Sequence, residues 1–262
     1  MGESEVIMKN IETKIFQILE DSSNLIQNRK IQFIQEKGIS NYVTDLDMTV
    51  EKYIMQNLRN LYPHIPFLSE ESVSEINSDV FWVLDPIDGT TNLIHDFRNS
   101  CISLALVEKE DVCFSVVYSI FSKEIYYAKK GKGAYIIQNG ETQQIKVSTR
   151  DVVSHAMIGF GCPYDKTKIP FLFSTLEKLI IECDDLKRVG PASLDLCRVA
   201  SGQLDAYLEL DLEYWDYAAG GLILTEAGGK ITGWNGEKGE GKSNILATNG
   251  MLHSTMLKKI QN

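Results

Sequence analysis

Three places in the sequence put carboxylates where a strand-like run gives way to a turn or helix. "PFLSEES" ends on Glu70 and Glu71, "FWVLDPIDGTTN" carries Asp85 and Asp88 into Gly89, Thr90 and Thr91, and "EYWDYAAGG" holds Asp216. No lysine or arginine lies between Trp82 and Asn92. Two carboxylates so close at the end of a buried strand repel each other and lose hydration, so a positive partner is required. Hard oxygen ligands drawn from separate segments are what Mg²⁺ requires. The Gly89-Thr90-Thr91 turn adds backbone N–H groups at a helix start, which can hold phosphate oxygens. Metal ligands, a phosphate cradle and a hydroxyl thus share one short stretch.

Elements capable of presenting these groups can be read on both sides of them. Val6, Ile7, Ile11, Ile15, Ile18, Leu25 and Ile26 recur at helical spacing and predict a long amphipathic first helix; Val50, Ile54, Leu58 and Leu61 predict a second, stopping before Pro63. The period then shortens. "IPFLSEE", "VFWVLDP", "SCISLALVEK", "DVCFSVVYSI", "EIYYAKK" and "GAYII" predict a meander of about six strands, with "KKGKGAY" a hairpin turn. From about residue 150 strands and helices alternate: "HAMIGFG", "FLFSTLEKLII", "DLKRV", a helix over 192–200, "LDAYLEL", "YAAGGLILTEA", "KITG", "SNILATN" and a last helix. This divides the chain into an α+β half over 1–145, carrying most of the acidic motifs, and an α/β half over 146–262, closely packed as one unit.

Composition narrows the function classes. The chain of 262 residues carries 26 Lys and Arg against 36 Asp and Glu, a formal charge of -10, which disfavours a broad nucleic-acid or anionic-membrane surface. A small anionic substrate would need local positive charge, and bound metal can provide it. The five cysteines include no C-x-x-C pair, so buried, reduced thiols are expected rather than a disulfide framework or a zinc site. No signal-peptide core opens the chain, and no apolar run approaches the roughly 18 residues of a membrane span, so a cytoplasmic protein is expected.

Taken together these motifs resemble the inositol monophosphatase family of Mg²⁺-dependent, lithium-sensitive phosphatases. "DPIDGTTN" matches its central motif throughout. "SEES" resembles its Gly-Glu-Glu-Ser element, "WDYAAGGLILTEAGG" its Trp-Asp element and following helix, and "YVTDLDMTVEKYI" its N-terminal Thr and Asp motif. The matches run in family order from residue 43 to 229. Ser69 stands where the family often has Gly, and Leu93 where it often has an aromatic; neither removes a ligand.

The resemblance implies a layered αβαβα sandwich, usually homodimeric, holding two or three Mg²⁺ ions. Glu70, Asp85 and the Ile87 carbonyl would hold one, and Asp85, Asp88 and Asp216 a second. Thr90, oriented by Asp47 with Thr44 nearby, would help Glu70 position a metal-activated water. Asp88, Gly89, Thr90, Gly190, Ala192 and Glu209 would contact substrate, although Pro191 in "RVGPASLDL" replaces a residue that often donates from its N–H and hydroxyl. The implied activity is hydrolysis of a small polyol phosphate, myo-inositol monophosphate first. The 2′-phosphate of NADP, fructose 1,6-bisphosphate and 3′-phosphoadenosine 5′-phosphate are the alternatives. A different class of function is a mainly non-catalytic partner of a transcription complex, since some bacterial relatives are implicated in such assemblies; the acidic charge makes direct nucleic-acid contact unlikely.

Overall fold

The structure is a computed structural model describing residues 11–72 and 76–261. Val6 and Ile7, read above into the first helix, lie outside the described residues. That helix is described as α1, Ile11–Gln27, and the next as α2, Asp45–Leu61. Between them a hairpin that the sequence reading missed, β1 (Ile34–Gly38) and β2 (Asn41–Thr44), pairs antiparallel. Its strands alternate weakly and every residue of β1 is exposed, so no core-facing pattern announces them.

Seven strands form the first sheet: β3 (Phe67–Ser69), β4 (Val80–Asp88), β5 (Cys101–Glu108), β6 (Asp111–Ser119), β7 (Ile125–Lys129), β8 (Ala134–Gln138) and β9 (Glu141–Ile145), ordered as in the chain. The reading of about six strands lacked β9, whose polar "ETQQI" is exposed in four of its five positions. A strand with that pattern is fixed by backbone pairing to β8 rather than by apolar burial. The "KKGKGAY" segment does form the β7–β8 turn, and the Gly131 and Gly133 N–H groups donate to the Glu226 carboxylate.

A second, five-stranded sheet runs β11 (Asp185–Lys187), β10 (Met157–Phe160), β12 (Ala206–Leu212), β14 (Ser243–Thr248), β13 (Lys230–Gly233). Helices α4 (Ile169–Glu182), α5 (Ala192–Ala200), α6 (Tyr214–Glu226) and α7 (His253–Gln261) complete the frame, with short α3 (Thr90–Ile94) after β4.

Alternating side chains decide the layering. In β4 Trp82 and Leu84 face α1 and α2, whereas Val83 faces the other way; in β6 Phe114 and Val116 divide from Val117 in the same manner. The opposite face of this sheet packs on α5 and α6, which also receive Tyr207, Ile245 and Ala247 from the second sheet. Ala206, Leu208 and Leu246 point outward to α4 and α7. Both sheets are therefore covered twice, in the layer order α1/α2, first sheet, α5/α6, second sheet, α4/α7. Helix α6 lies between two sheets, which explains why "YAAGGLIL" is apolar or small all round rather than on one stripe. Among the described residues no helix is long and apolar enough to cross a membrane.

Candidate active site

Registry brings the acids together. β3 and β4 pair in parallel with Ser69 opposite Leu84, and the Glu70 N–H donates to the Leu84 carbonyl at 3.2 Å, so Glu70 leaves the sheet beside Asp85. Between Asp85 and Asp88 the register with β5 slips, and Pro86, which has no N–H to give the ladder, sits in that irregularity. The slip turns the chain so that Asp85, the Ile87 backbone and Asp88 all border one cleft. Gly89 then takes φ +94°, a left-handed backbone in which a Cβ would also press the Asn99 carbonyl at 3.1 Å, and α3 starts at Thr90.

Asp216 comes from the other half of the chain. Glu213 is the N-cap of α6, and Asp216 is its third residue, accepting the Glu213 N–H at 2.8 Å in a capping box. Ser193 Oγ donates to the Asp216 carbonyl at 2.9 Å, and the Ser193 N–H donates to Asp88 Oδ2 at 2.9 Å. The N-termini of α5 and α6 thus both meet the end of β4, where their partial positive charge faces carboxylates.

The resulting cleft has a volume of about 490 Å³ and is bordered by Glu70, Asp85, Ile87, Asp88, Gly89, Thr90, Gly190, Ala192, Glu209 and Asp216. Asp47 and Thr44 lie behind Thr90. Thr90 Oγ1 is 2.9 Å from Asp47 Oδ1 and 3.0 Å from the Ile87 carbonyl, while Asp47 Oδ2 accepts the Thr44 N–H at 2.8 Å and hydroxyl at 2.5 Å. Thr44 is the N-cap of α2 and Asp47 its capping-box partner. A helix cap has in this way been joined to a site hydroxyl.

The electrostatics of the acids are unfavourable in isolation. Burial, then the charges of Glu70, Asp88, Asp216 and Asp47, hold the Asp85 carboxyl well above the usual carboxylate range. Asp216 is raised for the same reasons, by burial and by Asp88 and Glu70. Burial pushes Asp88 up to about 6 against the Ser193 hydrogen bonds, and Glu70 up to about 7 against Lys37. Burial likewise raises Asp47, opposed by its bonds to Thr44 and Thr90. Such a set is poised to take up cations.

Lys37, from the hairpin that the sequence reading missed, supplies one positive charge: its Nζ lies 2.8 Å from Glu70 and 2.9 Å from Glu71. Desolvation would lower the Lys37 amine, but the two glutamates carry it up to about 12. With Glu70 engaged in this way, and one oxygen each of Asp88 and Asp216 taken by backbone N–H groups, the described residues hold no closed cluster of three such metal ligands. The donor set nevertheless fits a hard divalent cation. All donors are oxygens, they are more numerous than the cations beside them, and Asp85 is only 2% exposed with a single N–H, that of Ile87 at 3.0 Å, donating to it.

The substrate-side residues behave differently from one another. The Gly190 N–H donates to Asp195 Oδ2 at 2.9 Å, and the Gly190 carbonyl accepts from Asn99 and Arg198, so this backbone is occupied within the protein. Ala192 opens α5 at the cleft wall. Glu209 accepts the Tyr207 hydroxyl, and burial pushes it up to about 7. Its carboxylate lies so close to Gly161 that a Cβ there would come within 2.0 Å of it. Sequence reasoning missed Lys37, Tyr207, Ser193, Arg188 and Glu51, whose carboxylate takes the Ser69 hydroxyl at 2.5 Å and the Ser72 hydroxyl at 2.7 Å and so secures the Glu70 turn. Only the serines beside Glu70 offered a local signal for any of these.

Comparison with known proteins matches this chain to the model of the inositol monophosphatase family over residues 4–262. The chain belongs to that family. It is 36% identical over 228 residues to a putative Nus factor SuhB of Neisseria meningitidis, covering 86% of each chain. With human inositol monophosphatase 1 the identity is 34% over 229 residues, covering 84% of this chain and 81% of the human one. Among solved structures, the extragenic suppressor protein SuhB of Bartonella henselae superposes with a TM-score of 0.87 at 30% identity, covering 95% of this chain and 98% of that one. The layered αβαβα architecture is thus shared with relatives of both names, and membership places this protein in a metal-dependent phosphatase family.

Proposed function

We propose that this inositol monophosphatase family member is a Mg²⁺-dependent phosphomonoesterase that hydrolyses a small polyol phosphate, myo-inositol monophosphate first. One observation carries the reading: Glu70, Asp85, Asp88 and Asp216, from three separate elements, border one cleft with Thr90 and its Asp47 partner. Glu70, Asp85 and the Ile87 carbonyl would hold one ion and Asp85, Asp88 and Asp216 another, with Asp85 between them. Bound Mg²⁺ would neutralise phosphate charge, acidify a water and stabilise the leaving oxygen.

The chain's own residues do the rest. Asp47 is fixed by two donors from Thr44, so it accepts from Thr90 without turning. The Thr90 hydroxyl, its proton directed to Asp47 or Ile87, presents lone pairs to an incoming water and orients it. Glu70, at the end of β3, would hold that water in place together with Thr90. Gly89 and Thr90 offer N–H groups to phosphate oxygens, and Glu209 accepts from polyol hydroxyls. The same reading includes lithium sensitivity, a homodimer and a cytoplasmic location.

A panel of phosphate-release assays tests it, with myo-inositol 1-phosphate, NADP, fructose 1,6-bisphosphate and 3′-phosphoadenosine 5′-phosphate as substrates. Activity should vanish in EDTA, return with Mg²⁺, and fall with Li⁺ or high Ca²⁺; full turnover in excess chelator would sink the metal assignment. The similarity to proteins named Nus factor SuhB favours a second reading, a binding partner of a transcription complex. Protein that hydrolyses nothing on the panel with Mg²⁺ and yet copurifies with such a complex would establish the second reading over the first.

A further inference from the structure

The cleft contains cations as well as acids, and they are not engaged alike. Lys37 is held by Glu70 and Glu71, and Lys242 by Glu213 at 2.8 Å. Arg188, between β11 and the Gly190 turn, is different. It borders the cleft and is exposed to it, with the Cys162 thiol as its hydrogen-bond partner and the Glu209 charge acting on it through space. Among the described residues no carboxylate lies within 4.0 Å of Arg188 or of Lys166, another cation that borders the cleft. The nearby Arg198 shows what a structural arginine looks like here: it binds Asp195 at 2.5 Å, the Gly190 carbonyl at 3.1 Å and Asn99 at 3.1 Å.

A guanidinium left with spare donors on the wall of a cleft, in a chain of net charge -10, has a forked geometry suited to carboxylate or phosphate. Its place is settled by the backbone. A Cβ on Gly190 would lie 2.7 Å from Arg188 Nη1, so the guanidinium lies over the turn that enters α5, on the Glu209 side of the cleft. Glu70 and Asp85 stand at the ends of β3 and β4; of the site acids, Glu209 is the largest charge acting on Arg188, and Arg188 in turn acts on Asp88 and Asp195. At about 490 Å³ the cleft has room for more than a single phosphate.

We infer that Arg188 binds a second anionic group of the substrate, a phosphate or a carboxylate remote from the phosphate that is cleaved, with Lys166 a further cation of the same cleft. The inference rests on the phosphatase reading for the identity of the cleaved group. Glu209 beside Arg188 accepts hydroxyls of the same ligand, so the pair selects a polyol that carries both kinds of group. Cys162 holds the guanidinium without neutralising it.

Two matched pairs of ligands test the assignment: myo-inositol 1-phosphate with myo-inositol 1,4-bisphosphate, and glycerol 2-phosphate with 2-phosphoglycerate. Members of each pair differ in the second anion, a phosphate in the first pair and a carboxylate in the second. Wild type, Arg188→Gln, Arg188→Lys and Lys166→Gln are compared in kcat/KM with Mg²⁺, and in calorimetric affinity with Ca²⁺ in its place, which reads binding whether or not the ligand is turned over. Wild type should prefer the doubly anionic member of at least one pair, and which pair identifies the anion. Arg188→Gln should cut that preference about tenfold to a hundredfold, Arg188→Lys less because the fork is lost but the charge kept, and Lys166→Gln least. No wild-type preference in either pair, or a preference that survives Arg188→Gln, overturns the inference. Preference in the calorimeter without phosphate release would uphold the anion site and sink the phosphatase reading; release without dependence on Arg188 would do the reverse.

Discussion

Replacing Asp88 by asparagine should make the metal-free protein more stable at neutral pH. Asp88 Oδ2 accepts the Ser193 N–H at 2.9 Å, a bond that an asparagine oxygen can keep, so the change removes charge more than structure. Burial, aided by the charge of Asp195, raises Asp88 from 3.8 to about 6, against the Ser193 bonds and the Arg188 charge. Because the folded pKa exceeds the unfolded one, proton binding favours the fold. That contribution is complete below 3.8 and is lost as pH rises through about 6. The difference, 6 minus 3.8, is worth about 3 kcal/mol, which cleft water reduces toward about 2. For a chain of this size that is an increase in Tm of about 4–10 °C in EDTA at about pH 7.5, disappearing at about pH 4. Differential scanning calorimetry of both proteins, with chelator and with Mg²⁺, reads it directly. Mg²⁺ should then raise wild type more than the variant, since stabilisation by a ligand grows with the logarithm of its affinity. An Asp88→Asn protein that melts below wild type at neutral pH in EDTA, or gains equally at low pH, would refute the view that this carboxylate is held at a cost until metal arrives.

Asp85→Asn should lower kcat/KM by several orders of magnitude in the phosphate-release assay while circular dichroism shows an intact fold, because one buried side chain would serve two ions; near-normal turnover at saturating Mg²⁺ would make Asp85 a turn residue only. Thr90→Ala and Asp47→Asn should each reduce kcat, and the double variant should be little worse than either, since residues linked at 2.9 Å act as a unit; multiplicative losses would mean independent roles. Glu209→Gln should weaken kcat/KM for inositol phosphate by about tenfold to a hundredfold while affecting an aryl phosphate much less, and equal losses on both would place Glu209 in the metal shell or the fold.

The local parts of this protein are legible in its sequence. Asp85, Asp88, Gly89 and Thr90 lie within six residues, so whatever the backbone does there must present them together. The period-two runs that became β4, β5 and β6 and the all-round apolar α6 follow from burial on two faces, which hydrophobic patterning records directly. Thr44 and Asp47 stand three residues apart, so the capping box that joins them is a local contact.

Other features depend on layers stacking, and no local pattern encodes them. The parallel register that puts Glu70 beside Asp85 is set by β3 joining the sheet edge, and the Asp88 bond to Ser193 spans 105 residues. Lys37 reaches Glu70 from an exposed hairpin that has no apolar signature. The Gly190 carbonyl looks in sequence free to serve the cleft, and only the fold brings Asn99, 91 residues away, to donate to it. Arg188 is an ordinary charged residue in "DLKRVG" until the fold places it on the cleft wall with no carboxylate of the described residues within 4.0 Å. Residue types and short spacings fix which chemistry is available. Which groups remain free to perform it is decided by long-range contacts, because a hydrogen bond or ion pair made across layers consumes a donor that the sequence alone leaves open.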